Sequence, residues 1–189
     1  MSGTHRRPPA PVLVALILPI ALAVTVAAIG IATKLHGIDE EGRIPAETGP
    51  LAVAPVDAPG ATTPDCATLI AALPAELSSL DGPLPQRPLA EPAPAGVHAW
   101  AASPRPVVLR CGLPRPAELT PTSPLVEVDG VRWLELTDGL PQPQMVTYVA
   151  VDRPVYVALT TPTDLGTGPI QQVSAAVSAT LPATAVSTR

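Results

Sequence analysis

Proline occupies 27 of the 189 positions, and its placement decides where regular structure can form. It lacks a backbone donor, so it breaks helix interiors and is excluded from central strands. It recurs at 45, 50, 55 and 59, and again at 83, 85, 88, 92, 94, 104 and 106. Between Val126 and Val157, by contrast, only Pro141, Pro143 and Pro154 occur, each at a break between apolar runs. The chain thus divides into proline-punctuated stretches and one strand-rich stretch. Glycine shows no period of three, which excludes a collagen-like array, and 47% hydrophobic residues argue against a wholly disordered chain. Phe and Asn are absent and Lys34 is the single lysine, a bias against AT-rich codons that points to a high-GC genome.

Arg6 and Arg7 precede a run from Pro8 to Thr33 that carries no charge for 26 residues. At about 1.5 Å per residue in a helix, such a run crosses a bilayer, and arginines before it with Asp39, Glu40 and Glu41 after it place the N-terminus in the cytoplasm. Two readings are open: a retained single-pass anchor, and a cleaved signal peptide with Val12 to Val26 as its apolar region. The length of the run and the absence of a clean Ala-x-Ala site favour the anchor, with the membrane engaged through residues 10–33. Either way, everything after Lys34 is expected outside the cytoplasmic membrane, at the cell membrane or secreted. That exported part carries 8 arginines against 16 acids, which disfavours nucleic acid as a partner.

Cys66 and Cys111 are the only cysteines. In an oxidising compartment two lone cysteines most simply pair, and closing this loop stabilises the fold by roughly 4 kcal/mol in the chain-entropy model. A reactive thiol and a zinc site are weaker alternatives, since there is no Cys-x-x-Cys spacing and only His98 stands nearby as a further soft ligand.

The organisation expected is a stub with anchor or signal peptide over 1–34, a Pro/Ala/Gly-rich linker over 35–63, a folded domain over 64–182 and a disordered tail over 183–189. Asp65 is a candidate N-cap for a helix with Leu69, Ile70 and Leu73 on one face, and Ala75 to Leu80 reads as its last turn beyond Pro74. Asp81 to Pro106 reads as a long loop with polyproline-like pieces. A short strand ends at Cys111. Asp129-Gly130 joins Leu125–Val128 to Val131–Leu136 as a two-residue hairpin, which sets Val128 opposite Val131, Glu127 opposite Arg132 and Val126 opposite Trp133. Met145–Val151 and Val155–Thr161 are nearly continuous in apolar residues, as strands covered on both faces are. Ile170, Val173, Ala176, Val177 and Leu181 recur at helical spacing after Pro169. The fold class is α+β: a small antiparallel or mixed sheet of about five strands with two helices packed on it, preceded by the transmembrane helix and a flexible tether.

Four stretches resemble an actinobacterial family of envelope proteins catalogued as domain of unknown function 3515. They are Leu109-Arg110-Cys111-Gly112, Pro116-Ala117-Glu118-Leu119, Tyr148-Val149-Ala150-Val151-Asp152-Arg153-Pro154-Val155-Tyr156 and Gly168-Pro169-Ile170-Gln171-Gln172. The resemblance runs from about Cys66 to Leu181, leaves the tether and the first 34 residues outside, and implies secreted or singly anchored members. It carries over no catalytic residue.

No catalytic, cofactor-binding or metal-ligating set is assembled by motif: there is no Gly-x-Ser-x-Gly, P-loop, His-Glu-x-x-His or calcium loop. Gly166-Thr167-Gly168-Pro169 reads as a plain loop and cap. Arg105, Arg110 and Arg115 recur every five residues, a spacing that keeps them off a common strand face. Four residues remain as recognition candidates: Asp152 and Arg153 as an exposed hairpin tip, Trp100 as an exposed aromatic platform, and His98. The leading expectation is a non-enzymatic, membrane-anchored or secreted envelope protein that binds another protein or a cell-wall component, without cofactor. The alternatives are an envelope hydrolase using His98 and a small-ligand-binding domain.

Overall fold

A computed structural model describes residues 21–28 and 45–188. Two units are distinguished, Met1–Arg43 and Ile44–Arg189. Within the first, residues 21–28 are helical and exposed. Among the described residues no helix is long and apolar enough to cross a membrane, and the remainder of the expected span 10–33 lies outside them.

The second unit holds two α-helices, α1 (Pro64–Ala72) and α2 (Gly168–Thr180), and eight strands. The strands are β1 (Glu76–Ser79), β2 (Gly82–Pro85), β3 (Val97–Trp100), β4 (Val107–Leu113), β5 (Leu125–Val128), β6 (Val131–Thr137), β7 (Met145–Ala150) and β8 (Tyr156–Pro162). β1 and β2 form a separate hairpin, and the other six make one antiparallel sheet in the order β3-β4-β8-β7-β6-β5. The architecture is α+β as expected, with six strands in the main sheet rather than five.

The β5–β6 hairpin has the register read from Asp129-Gly130: Val128 faces Val131, Glu127 faces Arg132 and Val126 faces Trp133. Asp129 and Gly130 have φ of 48° and 70°, the two positive values that a type I′ turn demands. The apolar runs of β7 and β8 lie in the middle of the sheet and feed two cores. Val157 and Leu159 join Trp100, Trp133, Leu109 and the helices on one face, while Ala158 and Val149 join Leu119 and Leu134 on the other. Alternation of neighbours along one strand is what supplies both faces.

α2 packs on α1, on β1, and on β5 and β6, turning Ile170, Val173 and Val177 into the core. Gly168 sits so close to β1 that an added Cβ would meet the Ser78 carbonyl oxygen at 2.2 Å. Gln172 completes the contact: its Nε2 donates to Ser78 Oγ (2.8 Å) and its Oε1 accepts from Ser78 N (3.0 Å). Cys66 of α1 and Cys111 of β4 are joined in a disulfide with Cα atoms 5.6 Å apart, both residues buried.

Five expectations need correction. Thr63, not Asp65, caps α1, its Oγ1 accepting from Cys66 N at 3.5 Å, with Pro64 filling the first helical position, where its missing donor costs nothing. Ala75–Leu80 is not a helical turn, and 81–106 is not one long loop: β1, β2 and β3 occupy them. Pro83 and Pro85 are tolerated because a two-stranded ribbon leaves half of its backbone donors unused. The described stretch ahead of 64 belongs to the same unit as the strands. Residues 45–63, read as linker, are fixed by Leu51 N donating to Pro88 O (2.8 Å), Ala90 N to Leu51 O (2.9 Å) and Gly60 N to Gly112 O (2.9 Å). Gly112, at φ 83° in the irregularity between Cys111 and Leu113, lets this strap cross; a Cβ there would stand 2.2 Å from Ala61 N. The tail is held as well, since Thr184 N donates to Asp152 O (2.8 Å) and Val186 packs on the second core.

Candidate functional site

The central strands end differently at their two ends. At the end where β7 begins and β8 stops, Met145 pairs with Pro162, and the ladder extends one step further because Thr163 N donates to Gln144 O (3.2 Å) and Thr163 Oγ1 to Pro143 O (2.8 Å). A 3-10 turn, Thr163–Leu165, then carries the chain to α2. Leu165 is buried while Thr163 and Asp164 stay exposed. β4 runs antiparallel to β8, with Val108 opposite Thr160, so the residues before β4 come up beside those after β8.

The result is a cavity of about 410 Å³ whose lining includes Pro104, Arg105, Gln144, Met145, Pro162 and Asp164. A smaller one of about 140 Å³ shares Pro162 and Thr163 with it and is lined by Glu135, Tyr148 and Val146 from the helix-side face of the sheet. Glu135 and Tyr148 are register partners across β6 and β7. Burial raises the Tyr148 phenol above its ordinary pKa, and the Glu135 charge adds to the rise, so the hydroxyl stays protonated and able to donate at neutral pH. Arg105 and Asp164 form no ion pair, with each other or with any described residue.

At the other end of the strands the neighbouring acid and arginine are bound to each other and to the backbone. Asp152 and Arg153, expected as an exposed tip, are 4% and 7% exposed. Asp152 Oδ1 lies 3.0 Å from Arg153 Nη1 and accepts from Arg132 N at 3.1 Å. Arg153 Nη2 donates to Gly130 O (2.8 Å), which fastens the β7–β8 connection to the turn of β5–β6. The pair is a structural clasp.

Trp100 is fully buried and its Nε1 donates to Pro74 O (2.9 Å), so it is no exposed platform. Its apolar body sits in the core while its one donor finds the carbonyl that a proline loop leaves free. Trp133 does the same with Ser174 Oγ (3.0 Å). His98, half-buried on β3, lies against Trp100 with ring centroids 4.6 Å apart. Its Nε2 is buried with no hydrogen-bond partner among the described residues, and burial lowers its pKa, which keeps the ring neutral. Among the described residues no acid or hydroxyl is hydrogen-bonded to that nitrogen.

The three arginines of residues 105–115 are dispersed by β4 itself. Arg110 is half-buried on the strand with an unpartnered Nε, Arg115 beyond it donates to Ser187 O (3.2 Å) and to Leu119 O, and Arg105 before it reaches the groove. Arg87, buried, holds Gly49 O (2.7 Å) and Glu47 (2.9 Å). Among the described residues no group of three or more His, Cys, Asp or Glu is placed to hold a metal ion. None of Arg105, Asp164, Gln144 and Met145 stood among the recognition candidates, since nothing local signals that two strand ends converge.

An α+β domain with a buried disulfide and a groove at one sheet end is the class these features define. The chain belongs to the family described as protein of unknown function (DUF3515), whose model matches residues 16–186. That match takes in the 35–63 stretch and part of the apolar run, beyond the Cys66–Leu181 region of the resemblance. No curated protein and no solved structure matches the chain.

Proposed function

We propose that this protein is a non-enzymatic binding domain of the cell envelope, held outside the cytoplasmic membrane by the apolar segment 10–33. It engages a partner, a protein or a cell-wall component, through the groove at the open end of the central strands. The observation that carries this reading is that Arg105 and Asp164 line the groove without partners among the described residues, while Asp152, Arg153, Arg87 and Arg115 are all tied to other groups. Charged groups left free at a concave site are the groups that recognise something else. A small ligand is the second reading, favoured by a volume of about 410 Å³, within the range of about 300–1,000 Å³ usual for such sites.

The extracytoplasmic placement rests on the Cys66–Cys111 disulfide, a bond that persists in oxidising compartments, and on Arg6 and Arg7 before the uncharged run. Two free thiols in protein recovered from cells contradict it. The binding surface is tested by in-cell cross-linking with a photoreactive residue at Gln144, in the groove, or at Arg132, exposed at the clasped end. A specific adduct from position 144 and none from 132 is expected; equal adducts from both positions, or none from 144, refute the groove as the contact.

A further inference from the structure

We infer that the groove takes a zwitterionic ligand of peptide type, its carboxylate on Arg105 and its ammonium on Asp164. This rests on the groove being the binding site. The two residues lie just beyond the ends of neighbouring strands: Arg105 is three positions before Val108 of β4, and Asp164 four positions after that residue's partner Thr160 of β8. Both line one cavity and are opposite in charge, yet they do not pair.

A ligand with a single charge satisfies one of them and meets the other as a like charge. A ligand bearing both charges satisfies both, and a bidentate carboxylate suits the planar guanidinium fork. Between them Met145, Pro104 and Pro162 offer an apolar wall. Gln144 adds an amide, a donor and acceptor pair that matches a peptide group, and its side chain makes only a long bond of 3.4 Å to Gln142 O. The cavity is large enough for more than one residue of such a ligand.

The test titrates the full chain, in nonionic detergent, with dialanine, N-acetyl-dialanine and dialanine amide, followed by calorimetry or NMR. Saturable binding of dialanine is expected, weakened about tenfold or more when either end is blocked. Arg105→Gln should erase the advantage of dialanine over its amide, and Asp164→Asn the advantage over the N-acetyl form. Both side chains are exposed, and matching unfolding curves establish that the variants are folded. Absence of saturable dialanine binding, equal binding of the blocked forms, or an unchanged pattern in the variants overturns the inference. If dialanine fails while cross-links from position 144 persist, the ligand class is wrong and the groove stands as a contact. If both fail, the groove reading falls with it.

Discussion

The two ends of β7 and β8 carry similar side chains and treat them in opposite ways. At one end Asp152 and Arg153 are buried, paired at 3.0 Å and bonded to the backbone of Arg132 and Gly130. At the other, Asp164 and Arg105 share a cavity and stay apart. The difference follows from what covers each end. The β5–β6 turn and the tail residue Thr184 close over Asp152, whereas at the start of β7 the 3-10 turn and the residues before β4 leave a cavity. A buried charge must be compensated inside the protein, so the clasped end holds structure; exposed opposite charges at a concavity are available to a ligand.

That contrast can be broken most sharply by stability. Asp152→Ala leaves the buried Arg153 guanidinium without its carboxylate and should lower the unfolding free energy by about 3 kcal/mol in a denaturant titration. Asp164→Ala, an exposed and unpaired site, should change it by no more than about 0.5 kcal/mol. Similar losses for the two variants would erase the distinction. A smaller effect sharpens it: removing residues 183–189 deletes the Thr184–Asp152 hydrogen bond, the Arg115–Ser187 contact and the packing of Val186, and should cost about 1–2 kcal/mol.

Smaller again is the pH dependence from His98. Burial lowers its folded pKa, so the unfolded chain binds the proton more readily. Stability from this residue is therefore intact above the unfolded value of about 6.5 and falls as pH drops from there towards the lower folded value. A His98→Gln variant should flatten the wild-type slope between about pH 7 and 5.5 and leave the fall at lower pH in place. An unchanged slope there would show that the ring is solvated.

Much of this fold is legible in the residues. Asp129-Gly130 fixes a register because only a type I′ turn suits two positive φ values in a right-twisted hairpin. The uninterrupted apolar runs of β7 and β8 announce strands covered on both faces, and Ile170, Val173 and Val177 announce the helix. What escapes the sequence is whatever depends on a distant backbone. The strap at 45–63 reads as linker by composition, and only Gly112, far along the chain, makes room for it. Trp100 lies in proline-rich surroundings that suggest exposure, yet the Pro74 carbonyl takes its one donor and permits burial. Asp152-Arg153 in a hairpin connection looks like a tip until Gly130 and Arg132 are known to face it. The groove is hidden for the same reason, since Arg105 and Asp164 are 59 positions apart and meet only through the β4–β8 register.

The central claim is that the open end binds and the clasped end holds. Its most direct test is the double variant Arg105→Gln, Asp164→Asn carrying the photoreactive residue at 144, with unfolding midpoint and in-cell cross-linking measured on the same protein. The account predicts an unchanged midpoint and loss of the specific adduct. A lowered midpoint with the adduct retained would contradict it.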